Sequence, residues 1–238
     1  MGKRTIVISC EHAGNYIPKD YRFLFNGREE VLQSHRGWDP GALLIAKYLS
    51  RQLGAPFFFQ KISRLLLETN RSLHSKELFS MYVQTLGINV RKYLLEKYYH
   101  PYRNMVEEKI AKEIEAGHEV LHLSVHTFTP ELNGVVRTVD VGILFDENQL
   151  PESEFSKAFR DKLESRLPDY NIMLNIPYNG ADDGFTTYLR TKFSPSDYLG
   201  IELEVNQKYV NTPDLRIIKE GMVWSLKQES PLSINILI

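Results

Sequence analysis

The chain has 238 residues, 29 lysines and arginines against 30 aspartates and glutamates, and a hydrophobic fraction of 42%. That length and apolar content suffice for one sizeable core, and a net charge of −1 excludes the broadly basic surface that non-specific nucleic-acid binding needs. A single cysteine, Cys10, excludes an internal disulfide, and no apolar stretch has the length of a signal peptide or a membrane span, so a soluble cytoplasmic protein is expected.

Residues 5–8, Thr-Ile-Val-Ile, read as a buried strand, and Ser9-Cys10-Glu11-His12-Ala13-Gly14-Asn15 follows as its exit loop. A carboxylate and an imidazole thus stand where a strand ends, the place where open α/β sheets gather their sites. Cys10 reads as a small buried residue rather than a nucleophile. Trp38-Asp39-Pro40-Gly41 opens a helix that Gly54 closes, with Leu43, Leu44, Ala46, Tyr48 and Leu49 as its apolar face. Asp39 there is either the N-cap before a first-turn proline or a carboxylate turned towards His12.

An aromatic strand is predicted over 57–62. Beyond it come Ser63-Arg64 and Glu68-Thr69-Asn70-Arg71, where two guanidiniums and an amide suit a carboxylate ligand. The helical pattern over 90–116 is interrupted at Pro101, which predicts a kink or break beside His100 and Tyr102. The strand predicted over 120–126 puts His122, Ser124 and His126 on one face and Leu121, Leu123 and Val125 on the other. Further elements are predicted as a strand over 141–145, a helix over 153–167, a strand over 172–174, a turn-rich functional loop over 175–184, a strand over 198–205 and a helix over 213–227. In the last strand Glu202 and Glu204 share a face, although buried carboxylates are costly unless paired or ligated. The alternation of strands and helices predicts a single α/β domain over 1–238.

Two histidines at strand ends, several carboxylates, and arginines with an asparagine form the inventory of a zinc hydrolase. Zinc takes nitrogen and carboxylate ligands and leaves a position for water, and a glutamate can serve as general base.

In order along the chain, Cys10-Glu11-His12-Ala13-Gly14-Asn15, Trp38-Asp39-Pro40-Gly41-Ala42, Ser63-Arg64 with Asn70-Arg71, His100-Pro101-Tyr102, Ser124-Val125-His126 and Leu203-Glu204 resemble the N-formylglutamate amidohydrolase family. The resemblance implies a three-layer α/β/α fold like that of the zinc carboxypeptidases, with a mixed, mostly parallel sheet of about eight strands. It implies hydrolysis of a small anionic N-acyl amino acid such as N-formyl-L-glutamate, with one Zn2+ as cofactor. It further implies His12 and His126 as metal ligands with Asp39 or Glu11 as the third, Asp39 preferred. Glu204 would be the catalytic base, and Arg64, Asn70, Arg71, His100 and Tyr102 would bind substrate. No nucleic-acid or membrane partner is implied. Glu68 and Phe185 depart from the family's pattern and Asn15 from that of the zinc carboxypeptidases, which leaves the acyl amino acid open, along with a carboxylate-binding module or a carboxypeptidase-type peptidase as alternative functions.

Overall fold

The computed structural model describes residues 3–229, so the domain expected over 1–238 extends past the described residues at both ends. Its strands are β1 (Arg4–Cys10), β2 (Phe57–Phe59), β3 (Glu119–Phe128), β4 (Glu131–Leu132), β5 (Val135–Val136), β6 (Val141–Leu144), β7 (Ile172–Leu174) and β8 (Tyr198–Asn206). Its α-helices are α1 (Glu29–Gln33), α2 (Ala42–Leu53), α3 (Met81–Gln84), α4 (Ile88–Leu94), α5 (His100–Glu115), α6 (Leu150–Arg166), α7 (Phe185–Arg190) and α8 (Asp214–Glu229).

Six strands form one sheet in the order β2-β1-β3-β8-β6-β7, while β4 and β5 make a separate hairpin. Within the large sheet only β6 against β8 is antiparallel, so the sheet is mixed and mostly parallel. Of the roughly eight strands expected, the described residues place six in this sheet.

Alternation sorts the side chains into layers. Ile6, Ile8, Leu121, Leu123, Val125, Leu199, Ile201 and Leu203 face α2, α6 and α8, which carry Ile45, Phe159 and Met222 into the same cluster. Each such side chain, fully buried, contributes about 1.5–3 kcal/mol relative to exposure. Val7, Val120 and Tyr198 turn to the opposite face, beneath α5 and α7, where Tyr102, Val106, Ile110, Phe185 and Leu189 cover them. This gives the three-layer arrangement. A third cluster, with Ile17, Phe25, Leu66, Val83 and Leu94, packs the long excursion between β1 and α5.

Two local expectations are corrected. Pro101 does not break its helix. A π-helical turn, Leu95–Tyr99, joins α4 to α5 and places the proline in the first turn of α5, where a missing N–H is tolerated. Asp39 does not cap α2: the N-cap is Gly41, at φ 90°, and its conformation inserts a turn between Asp39 and the helix.

Candidate active site

β1, β3 and β8 lie side by side and parallel, so their carboxyl ends meet at one edge of the sheet. The chain leaves β1 towards β2 on one side and returns as β3 on the other, which makes this edge a topological switch point. His12 follows β1, His126 lies near the end of β3, and Glu204 pairs in register with His126 from β8. Asp39 is brought in by its backbone: its N–H donates to the His12 carbonyl at 3.1 Å, and Thr127 Oγ1 donates to the carbonyl of Pro40 at 2.8 Å. A Cβ on Gly41 would stand 2.7 Å from Val210 Cγ2, so the turn that frees the Asp39 side chain needs glycine for space as well as for φ.

Both imidazoles address the same carboxylate oxygen. His12 Nδ1 lies 3.1 Å from Asp39 Oδ2 and His126 Nδ1 lies 2.9 Å from it. All three residues are buried, and one donor atom from each falls within 4.8 Å of the others. The far nitrogen of each ring also meets a carboxylate. His12 Nε2 is hydrogen-bonded to Glu68 Oε1 at 2.5 Å, and His126 Nε2 lies 3.2 Å from Glu11 Oε2. Glu11 accepts in addition from Ser124 and, at 2.7 Å, from Tyr102. Glu68 accepts from Arg64 Nε at 2.7 Å, and Arg64 Nη1 donates to Asp39 Oδ1 at 3.2 Å.

The charges follow this network. Burial works to raise Glu11, Asp39 and Glu68, but the imidazoles beside all three, and Arg64 beside the last two, hold each below the ordinary carboxylate range. Burial opposes the charge on His126, yet hydrogen bonds to Asp39 and Glu11 carry it well above the usual imidazole value. Glu204 differs. Burial, with Asp39 and Glu202 nearby, pushes it up to about 8, and among the described residues its buried Oε2 has no hydrogen-bond partner.

The three donors, two imidazole nitrogens and a carboxylate oxygen within 4.8 Å of one another, are a set that a divalent ion such as zinc takes. Tetrahedral ligands at about 2.0–2.1 Å stand roughly 3.3 Å apart, close to the nitrogen–oxygen separations of 3.1 and 2.9 Å. With carboxylates on the far nitrogens, both Nδ1 atoms would be the ones offered to an ion, an outer-shell arrangement usual for metal-bound histidine.

A cleft of about 320 Å3 opens on these residues. Arg64, Asn70, Arg71, Glu202 and Glu204 line it with His12, Asp39 and His126, and the loop over 175–184 adds Tyr178, Asn179, Asp182 and Asp183. Arg71 pairs with Glu77 at 3.1 Å and donates to the Asp183 carbonyl at 2.9 Å, tying the two walls together. Asn70 turns its Oδ1 to the Phe185 N–H at 2.8 Å. Gly142, beside Glu204 on β6, admits the backbone of this loop: a Cβ there would lie 2.2 Å from the Ile176 carbonyl oxygen.

Two residues expected to bind substrate stand elsewhere. Tyr102 is buried beneath the sheet and directs its hydroxyl to Glu11, while His100 lines a separate pocket against Tyr99. Glu11 and Glu68 hold the imidazoles from behind, Glu68 in a role that sequence reasoning missed, and the cleft-lining His35 and Arg36 received no role there either. The only available signals were that His35-Arg36 stands one residue before the Trp38-Asp39-Pro40 segment and that Glu68 lies four residues from Arg64. Cys10 is fully buried on the apolar side of the sheet, and burial raises its thiol well above the ordinary range, so it packs and does not react.

Comparison with known proteins follows the same lines. No curated protein matches the chain. Among solved structures, gene product Atu2144 from Agrobacterium tumefaciens is similar at 29% identity and a TM-score of 0.80, over 95% of this chain and 92% of that one. An N-formylglutamate amidohydrolase from Ralstonia eutropha JMP134 shares the fold at 14% identity and a TM-score of 0.70, over 95% and 93% of the two chains. The sequence model of the N-formylglutamate amidohydrolases matches residues 4–210, which spans the elements carrying the cleft, and the chain belongs to that family.

Proposed function

We propose that this protein is a zinc-dependent amidohydrolase that removes the acyl group from a small anionic N-acyl amino acid, with N-formyl-L-glutamate as the reference substrate. The observation that carries this reading is the meeting of His12 Nδ1, His126 Nδ1 and Asp39 Oδ2 beside the unpartnered Oε2 of Glu204. His12, His126 and Asp39 would hold the ion. When bound, zinc supplies Lewis-acid chemistry, lowering the pKa of a water to roughly 7 and polarising an amide carbonyl.

The chain's own groups account for the rest. Glu204 Oε2 takes the proton from the attacking water and returns it to the departing amine nitrogen, so one amide and one water give a carboxylate and an amine. Arg64 and Arg71 line the same cleft and draw the substrate carboxylates in, with the Asn70 amide between them. Because Arg64 also donates to Asp39 and Glu68, it sets the spacing between substrate and ligands. The size of the cleft, about 320 Å3, favours a single amino-acid derivative over a peptide chain.

The test is elemental analysis of the purified protein followed by assay with N-formyl-L-glutamate and other N-acyl amino acids, before and after chelation. One bound zinc per chain and hydrolysis that chelation removes and zinc restores are expected. A metal-free protein fully active on these amides would overturn the reading.

A further inference from the structure

A second pocket, of about 190 Å3, lies behind the segment 69–72, walled by the rings of Tyr99 and Tyr188. Ser72, His74, His100, Arg103 and Asn104 supply its polar lining, which contains no carboxylate. Only its wall segment is shared with the active-site cleft: Arg71 faces the cleft and Ser72 faces this pocket.

Arg103 sets its character. The residue is 3% exposed, and its hydrogen bonds run from Nη1 to the carbonyls of Thr69 at 3.1 Å and Arg71 at 3.3 Å. Among the described residues, Nε and Nη2 donate to no protein group and no carboxylate forms an ion pair with it. The guanidinium stands 4.3 Å from the Phe185 ring, 4.4 Å from Tyr188 and 4.9 Å from Tyr99. Aromatic faces compensate a buried charge only in part, and a buried arginine ordinarily has an anionic partner. The two tyrosine hydroxyls do not compete for a ligand, since Tyr99 donates to the Arg71 carbonyl at 2.6 Å and Tyr188 to Glu107 at 2.9 Å.

We propose that this pocket is a second binding site, for a small oxyanion, in which the free edge of Arg103 receives two oxygens and His100, His74 and Asn104 close around them. The anion supplies the paired acceptor oxygens that no carboxylate among the described residues supplies, Glu11 and Asp183 acting on the guanidinium only from a distance. Carboxylate and phosphate present the same paired acceptors to a guanidinium fork, so the shared chemistry defines the ligand. The site is joined to the cleft through backbone: Arg103 and Tyr99 both hold the Arg71 carbonyl, and the Arg71 side chain lines the cleft.

The test is an NMR titration of the purified full chain, following the Arg103 side-chain Nε–Hε signal. Sodium acetate and sodium phosphate are the two arms, with sodium chloride at matched ionic strength as control. Saturable movement of the signal with acetate, phosphate or both supports the site, and the arm that responds identifies the class. Arg103→Gln should weaken binding about tenfold. If that buried replacement does not fold, Asn104→Asp, at an exposed rim position, should weaken it several-fold through like-charge repulsion. His12→Ala should leave it unchanged, which separates this site from the metal-hydrolase reading. No saturable shift with either anion, wild-type binding in Asn104→Asp, or loss of binding in His12→Ala would overturn the proposal.

Discussion

Glu204 stands directly across the β3–β8 ladder from His126, yet its carboxyl is pushed up to about 8 while the imidazole is carried above its usual range. Burial drives the difference. Asp39 and Glu11 both serve His126, whereas among the described residues Oε2 of Glu204 has no partner. With its carboxyl pushed up to about 8, the ionised form of Glu204 is a stronger base than an ordinary carboxylate, and a cation in the site would bring its titration down towards neutral pH.

Glu204→Gln keeps the shape and removes the proton acceptor. The variant should bind zinc as the wild type does and lose about 10²–10⁴-fold in kcat. Because the ionised form is the base, wild-type kcat/KM should rise with pH, with its acid limb below pH 8, since a bound cation lowers a neighbouring carboxylate. Metal content and a pH–rate profile check this; a Glu204→Gln enzyme retaining full kcat would remove Glu204 from the chemistry.

Glu68→Gln and Glu11→Gln each test whether a carboxylate behind an imidazole sets the metal site. Zinc affinity should fall about 10–100-fold in each, measured by competition with a chromophoric chelator. Substrate KM at saturating zinc should change less for Glu11→Gln than for Glu68→Gln, because Glu68 also holds Arg64.

Arg71→Ala should raise KM about 10–100-fold while kcat changes much less, because a charge-assisted contact to substrate contributes about 1.5–3 kcal/mol. Steady-state kinetics with N-formyl-L-glutamate decide it. An equal fall in kcat at constant KM would indicate that Arg71 acts on the transition state instead.

His122 gives a stability test away from the proposed ligands. It is fully buried between Ser9 and Tyr198, each hydrogen-bonded to it at 2.8 Å, and burial lowers it to about 4. The unfolded chain binds this proton near pH 6.5, so the contribution is present above that pH and is lost as the pH falls towards 4. The full loss amounts to about 3 kcal/mol. Urea unfolding of wild type and His122→Gln across this range should give profiles that converge as pH falls; parallel profiles would contradict it.

Much of this arrangement was legible in residue patterns. Period-two alternation marks β1, β3 and β8 and places His122, Ser124 and His126 on the face away from Leu121, Leu123 and Val125. The segment 172–174 is recovered as β7, and Gly54 ends α2 as expected. Other features escaped for physical reasons. The helix α7 has a single well-patterned turn and follows a loop rich in Gly, Asn and Asp, so periodicity has too little length to act on. The π-helical turn before Pro101 arises from local hydrogen-bond spacing that residue identity does not announce.

By itself the sequence determined which residues could do the chemistry: imidazoles at strand ends, a carboxylate pair on the last strand, and arginines grouped after β2. Only the tertiary structure decided how they combine. His12 meets Glu68 across 56 positions and Asp39 across 27, and His126 meets Asp39 across 87. Those meetings depend on strand order, which puts β3 beside β1 and β8 beside β3, and on the Gly41 turn that swings Asp39 off its helix. Each imidazole turns Nδ1 to Asp39 and Nε2 to a second carboxylate, Glu68 or Glu11, and those paired contacts fix the ring orientation in a way no residue pattern announces.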